Sequence, residues 1–499
     1  MQNQTSHDPF SALESDSAAD AGALFLDLAA RYLAETRTGE GPVSTSLDAD
    51  AIAARFAEPL PTGGRPLAEV AERVRRDVMS DANRLYHPMY AGHQVSAPLP
   101  AAVWAEVVTA ALNQSQAVWE MSPTLTVLER QVMRWMCDLV GWDGKSGGTL
   151  TSGGTEATFT ALLAARAAAI PDAWTNGVGA EPPVLVCGEH AHYAVARAAG
   201  ELGIGMRNVV LVPSVDYRMG ADALERTLAD LDASGRRVMA VVATAGHTAT
   251  GAFDDLVAIG ETCARRGIWL HVDGAHGASA LLSPAHRHRV RGLSAARSVA
   301  WDPHKMMLLP LSAGMVLVRD EGDLAAAFSQ QAPYLFHARE GGPSWDSGPR
   351  SFQCSRRGDV LKLWVALQRY GADGIGALYA ALCDRAAELH AMIAARDDFV
   401  ALHEPECNIL CFRHTPAGVE DPARLDRLNL ALRERYNRSG EGWITTTLLD
   451  GMRVLRVTIM NPRTTRAHLE RLLDGLAAQG AALAASPEIV SGARGETVS

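Results

Sequence analysis

The chain has 499 residues, 47% of them hydrophobic and 21% charged, a length that suggests roughly three domains and an apolar content that can fill a sizeable core. Its formal net charge of -11 argues against a nucleic-acid surface, which needs a clustered basic face. No apolar run reaches the roughly 18 residues that a membrane helix requires, so no membrane role is expected.

The opening stretch MQNQTSHDPFSALESDSAAD is polar and acidic, without the basic region and apolar core of a signal peptide. Two amphipathic helices follow, one carried by Leu24, Phe25, Leu28 and Tyr32, the other by Leu67, Val70, Val74 and Val78. Residues 1–95 are therefore read as an N-terminal tail and helical segment. In residues 96–370, short strand-like runs (VLVC, VVLV, VMAVVATA, IWLHVD, SVAW, GMVLV) alternate with Ala-rich helical runs such as TEATFTALLAARAAA. That alternation predicts an α/β domain with a mostly parallel sheet. Residues 371–486 read as a smaller C-terminal α/β domain, with strands at 409–412 and 454–459 and the helix AHLERLLDGLAAQG; residues 487–499 read as a polar tail. The seven cysteines are scattered, odd in number and lack a CxxC pair, which points to reduced cytoplasmic thiols rather than a disulfide frame or zinc site. The basic run HRHRVR, 286–291, reads as a solvated loop, with an anion site as the alternative.

Chemistry concentrates in the middle segment. TSGGTEATFT turns through Gly153 and Gly154 directly into a helix, so free N-H groups and the positive helix end converge beside Thr155. Such a terminus holds a phosphate, although Thr-Glu is also a capping pattern. Asp273 ends the apolar run IWLHVD at the place where parallel sheets put ligands; a turn-capping role is the alternative. His190 and His192 follow VLVC, where one of them can stack on a flat ligand or simply be structural. No second cluster with ligand spacing supports a metal. Lys305, in SVAWDPHKMMLLP, is a cation among apolar residues, costly unless it is paired, neutralised or chemically engaged. An aldehyde cofactor with a phosphate and a pyridine nitrogen uses all of these: phosphate on Gly153, Gly154 and Thr155, His192 over the ring, Asp273 on the ring nitrogen, and Lys305 as the imine.

The ordered motifs HPMYAGHQ, LNQSQAVWEMSP, TSGGTEA, HAHYAVARA, ATAGHTATGAFDD, WLHVDGAHGASA, WDPHK, APYLFHA, DSGPRSFQCSRRGDVLKLW and LRVTIMNP span about residues 87–469. Through them the sequence resembles the group II pyridoxal-phosphate-dependent amino-acid decarboxylases, which act on glutamate, diaminobutyrate, cysteine sulfinate and aromatic amino acids. The resemblance implies an aminotransferase-like fold (fold type I), pyridoxal 5'-phosphate as cofactor and a homodimer with shared active sites. It implies that Thr248 and Ala275 line the cofactor and that His304 lies beside its phosphate. The family's Asn-Pro-His-Lys is here Asp302-Pro303-His304-Lys305, and a carboxylate beside phosphate is unfavourable unless it is paired or faces elsewhere. Tyr334 matches a loop tyrosine that reaches the other subunit's site and protonates Cα after carbon dioxide leaves. Arg456 matches an arginine near the substrate carboxylate, with a structural ion pair as the alternative; His93 and Gln94 are the polar candidates for the side-chain pocket. The implied reaction is decarboxylation of an L-amino acid to its amine. Decarboxylation with oxidative deamination and a catalytically silent regulatory homologue are the competing readings. The N-terminal motifs look closest to diaminobutyrate enzymes, whereas YLFHA and QCSRRGDVLKLW look closer to the glutamate and cysteine-sulfinate branch.

Overall fold

The computed structural model describes residues 13–14, 16, 19–45, 48–328, 344–486 and 489. Two compact units emerge. One comprises the described residues of Met1–His93, Ala391–Val400 and Phe412–Ser499; the other comprises Gln94–His390 and Ala401–Cys411. Gln94, placed by the sequence in an N-terminal segment ending at 95, thus belongs to the second unit.

The second unit is built on seven strands: β1 (Gly147–Thr151), β2 (Val184–Gly188), β3 (Val209–Val212), β6 (Val238–Thr244), β7 (Trp269–Asp273), β8 (Ser298–Trp301) and β9 (Gly314–Val318). A separate short hairpin joins β4 (Ser214–Val215) to β5 (Arg218–Met219). The sheet order is β1-β9-β8-β7-β6-β2-β3. Pairing is parallel from β8 through β7, β6 and β2 to β3, and antiparallel where β9 meets β8 and β1. Strands β2, β7, β8 and β9 are buried along their whole length, as expected for apolar strands covered on both faces. The two antiparallel steps through β9 restore the direction of β1, so the carboxyl ends of β1, β2, β6, β7 and β8 all lie along one edge of the sheet. An α/β sheet of this kind binds its ligand at that edge.

The run TEATFTALLAARAAA lies in the helix Gly154–Ala169, whose face from Ala157 to Ala165 is buried; Ala157 and Ala161 pack with Ala300, Val316 and Val318 of β8 and β9. β9 begins with glycine because its backbone passes the turn ahead of that helix so closely that a Cβ on Gly314 would lie 2.4 Å from Gly153 Cα. In the N-terminal region the amphipathic spacing corresponds to the helices Ala19–Thr36 and Leu67–Arg73, the latter continuing as a π-helix over Val74–Met79. A second sheet, order β10-β11-β13-β12, is formed by β10 (Phe399–Ala401), β11 (Ile409–His414), β12 (Thr445–Leu449) and β13 (Met452–Thr458). Helix Pro422–Ser439 packs on β13, and helix Arg466–Ala484 packs on Pro422–Ser439. Among the described residues no helix is long and apolar enough to cross a membrane.

Candidate active site

A cavity of about 360 Å³ opens at the carboxyl edge of the central sheet, within the second unit. Each strand delivers its contribution just past its last residue: Gly153, Gly154 and Thr155 after β1, His192 after β2, Thr248 after β6, Asp273 and Ala275 at the end of β7, and Asp302, His304 and Lys305 after β8. Gln94 also lines it. The same wall includes Ser152, Tyr193, Thr244, Gly246 and His276, which the sequence reading did not select. Thr244 and Gly246 sit at and just after the end of the strand VMAVVAT, a position from which strand-end logic would have reached them.

The glycine turn is held from behind. Glu129 is buried and accepts hydrogen bonds from Leu150 N at 3.1 Å and Thr149 Oγ1 at 3.2 Å, both in β1. Arg356 meets it with two parallel bonds, 2.8 Å to Oε2 and 2.7 Å to Oε1. Burial pushes the Glu129 carboxyl up, but the Arg356 charge and its hydrogen bonds hold it below its ordinary value. A bidentate pair of this geometry fixes the strand that presents the turn. Glu156 reaches back to Ser152 N at 2.8 Å and Ser152 Oγ at 2.6 Å, so the capping chemistry is performed by Glu156 while Thr155 faces the cavity. The helix starts tightly against its surroundings: a Cβ on Gly154 would lie 2.9 Å from Ala275 Cβ and 3.0 Å from Asp302 Oδ2.

Asp302 is 2% exposed, and its Oδ2 lies 3.2 Å from Lys305 Nζ and 3.4 Å from His304 Nε2. The carboxylate that replaces the family's asparagine is therefore paired. Its Oδ1 is buried with no hydrogen-bond partner. His304 Nδ1 accepts from Ala313 N at 3.0 Å, which leaves the neutral ring's proton on Nε2, facing Asp302; burial pushes its pKa down. His192 is likewise pushed down by burial, and its Nδ1 accepts from Ala194 N at 3.3 Å. Asp273 is 8% exposed and uses Oδ1 to accept from Ala275 N at 3.1 Å. Beneath this layer, Ser298 Oγ accepts from Trp269 Nε1 at 2.8 Å and lies 2.9 Å from His271 Nδ1. Burial lowers the pKa of His271, two residues before Asp273, to about 4, against the pull of Asp273 and Ser298, so its ring is neutral.

His93 and Arg456 belong to the other unit, where Arg456 is buried against Thr445 Oγ1 at 3.4 Å. Burial and the positive charges of Arg456 and Arg433 all push the His93 pKa down, so those three side chains form one neighbourhood. Tyr334 lies outside the described residues.

The site's fit to pyridoxal phosphate rests on its own features. The helix N-terminus is too tightly packed for a side chain at Gly154 but leaves its first-turn N-H groups at the cavity wall. A buried carboxylate, two neutral imidazoles and a lysine converge on a space of drug-like size. A model of the pyridoxal-dependent decarboxylase conserved domain matches residues 53–415. The chain belongs to that family. As a pyridoxal-dependent decarboxylase it is 33% identical to an L-2,4-diaminobutyrate decarboxylase of Rhizobium meliloti (strain 1021), over 84% of this chain and 83% of the relative. It is 32% identical to an acidic amino acid decarboxylase of Bos taurus, over 82% and 80%. The glutamate decarboxylase domain of a diaminobutyrate-pyruvate transaminase and L-2,4-diaminobutyrate decarboxylase from Vibrio parahaemolyticus superimposes with a TM-score of 0.83 at 29% identity, covering 93% of this decarboxylase and 96% of that chain. The decarboxylase is thus a carboxy-lyase that uses pyridoxal phosphate to act on an amino acid.

Proposed function

We propose that the substrate is an L-amino acid with a second charged group, either diaminobutyrate or an acidic amino acid such as glutamate, released as its amine and carbon dioxide. The observation that carries the catalytic part is the convergence of Lys305, Asp273 and His192 with the turn at Gly153–Thr155 around one cavity. When bound, pyridoxal phosphate supplies an aldehyde for imine exchange and a ring that accepts the electron pair left behind by departing carbon dioxide.

The chain's own groups do the rest. The N-H groups at Gly154 and Thr155 would hold the phosphate at a helix end where no side chain competes for space. Lys305 Nζ, 3.2 Å from Asp302 Oδ2, is tethered at the cavity wall as the amine for the carbonyl carbon. Asp273, with Oδ1 fixed by Ala275 N, would hold the cofactor's ring nitrogen and keep a proton on it. His192, a cavity wall residue, would cover one face of the ring, and its neutral state would avoid setting a second cation against it. Asp302, close to the Gly154 turn, has its charge paired with Lys305 and His304, which would offset its repulsion of the phosphate. Tyr334, matched by the resemblance to the family's loop tyrosine, is the group that would return the proton to Cα in a homodimer.

The choice of substrate class is supported by the relatives' activities. Arg456, His93 and Gln94 are the proposed substrate-binding groups, taken from the family resemblance; of them, Gln94 lines the cavity. Assembly as a dimer is supported by apolar side chains exposed on the N-terminal helix, among them Leu24, Phe25 and Leu26. A cytoplasmic site of action is supported by seven cysteines that are all free thiols. The test is a panel of L-amino acids assayed for carbon dioxide and amine. The proposal expects release from diaminobutyrate, glutamate or another acidic amino acid, and is contradicted if only aromatic amino acids turn over.

A further inference from the structure

The turn after β6 carries a histidine for which the cofactor chemistry has no direct use. His247 is 1% exposed, and its neighbours Gly246 and Thr248 line the cavity. Its Nε2 lies 2.9 Å from Asp254 Oδ1, and its Nδ1 lies 3.2 Å from the carbonyl oxygen of His190. Asp254 is itself buried, with Oδ1 accepting from Met219 N at 2.8 Å and Oδ2 from Thr244 N at 2.7 Å. A carboxylate and a carbonyl oxygen both accept, so both ring nitrogens must donate, and His247 is an imidazolium. Burial opposes that charge, but the Asp254 hydrogen bond and charge, helped by the His190 carbonyl and by Asp273, hold the pKa above its ordinary value.

The partner on the Nδ1 side matters most. His190 lies two residues before His192, in the segment that leaves β2 for the helix Ala194–Glu201. Backbone bonds fix the two ends of that segment: Glu189 N to Val212 O at 3.1 Å, Ala191 N to Gly188 O at 3.0 Å, and Val195 N to His192 O at 3.1 Å. The His190 carbonyl is the point at which a side chain from the β6 side takes hold of it. Asp254, through Thr244 N, ties the other end of the same chain of bonds to the last residue of β6.

We propose that His247 is a positioning residue: clamped between Asp254 and the His190 carbonyl, it fastens the 189–193 segment to the end of β6 and so sets His192 over the cavity. This rests on the reading of His192 as the residue that covers the cofactor ring. It predicts that the imidazolium acts through His192 and not merely as a counter-charge for Asp254.

Three measurements test it. Nitrogen-15 NMR of the wild-type protein without cofactor should find both His247 ring nitrogens protonated at about pH 7.5, well above the ordinary histidine value; a neutral ring there overturns the clamp without any variant having to fold. In His247→Gln, whose amide donates to one partner at most times, hydrogen exchange at the amides of 191–195 should rise about 10-fold while β7 stays protected; unchanged exchange overturns it. The pyridoxal phosphate Kd should rise about 10-fold in His247→Gln, the loss of one charge-assisted hydrogen bond, yet show no further loss when the change is made in a His192→Ala background. Additive losses would assign His247 a structural role only. Should the wild-type chain fail to bind pyridoxal phosphate, the proposed function falls, while the NMR and exchange results still judge the clamp.

Discussion

Replacing Gly154 with alanine tests where the phosphate sits. The added Cβ would lie 2.9 Å from Ala275 Cβ and 3.0 Å from Asp302 Oδ2, neither of which is the free end of a flexible side chain. Overpacking of this kind costs about 1–3 kcal/mol, and alanine's better helix propensity offsets up to about 1 kcal/mol of it, so the folded protein loses between about zero and 3 kcal/mol. Phosphate binding suffers more. To relieve the contact, the first helical turn must move by some tenths of an ångström, and a stretched hydrogen bond to a charged group forfeits about 1.5–3 kcal/mol, or about 10- to 150-fold in Kd. The assay is a fluorescence titration of the cofactor-free protein with pyridoxal phosphate and, separately, with pyridoxal. Gly154→Ala should lose pyridoxal phosphate affinity by that factor and keep its affinity for pyridoxal. An unchanged preference for the phosphorylated form would show that the phosphate is bound elsewhere.

Three other perturbations probe separate parts of the site. Asp273→Asn keeps an oxygen for Ala275 N, so its fold should persist while pyridoxal phosphate affinity falls about 10-fold or more and turnover drops with it; near-normal turnover removes Asp273 from the mechanism. His271 is neutral in the fold, with a pKa of about 4, whereas in the unfolded chain it takes up a proton near pH 6.5. Stability should therefore fall by on the order of 3 kcal/mol as pH drops from 6.5 to 4, and His271→Gln should flatten that slope in denaturant unfolding; an equally steep slope in the variant refutes the assignment. Tyr334→Phe should bind cofactor normally yet release about 100-fold less amine, with aldehyde formed and oxygen consumed. Activity should partly return when it is mixed with Lys305→Ala, since one site of the mixed dimer then holds both intact residues; no return in verified mixed dimers places Tyr334 in its own chain's site.

The parts of the site that sequence made legible are those whose chemistry is local. Lys305, Asp273 and the Gly153–Thr155 turn each follow a strand or open a helix within a few residues, and the structure gathers them because parallel strands deliver their carboxyl ends to one edge. The strand β1 itself went unread: GGTLT contains two glycines and too little apolar length, and it holds its place through Glu129 and Arg356, 227 residues apart. β12, TTTLL, was missed for a similar reason, since only its pairing with β13 makes a strand of it. His247 appeared in a quoted motif without a role because its partners, His190 and Asp254, flank different strands. The pairing of Asp302 answers the objection to a carboxylate beside phosphate, and nothing in WDPHK announces that Lys305 and His304 turn back to meet it.

The most direct test of the central claim is chemical. The protein is loaded with pyridoxal phosphate, reduced with borohydride and digested, and its peptides are searched by mass spectrometry for the pyridoxyl group. The account predicts the modification on Lys305 and its absence in Lys305→Ala. Modification of Lys362 or any other lysine in the wild-type protein, with Lys305 unlabelled, would contradict it.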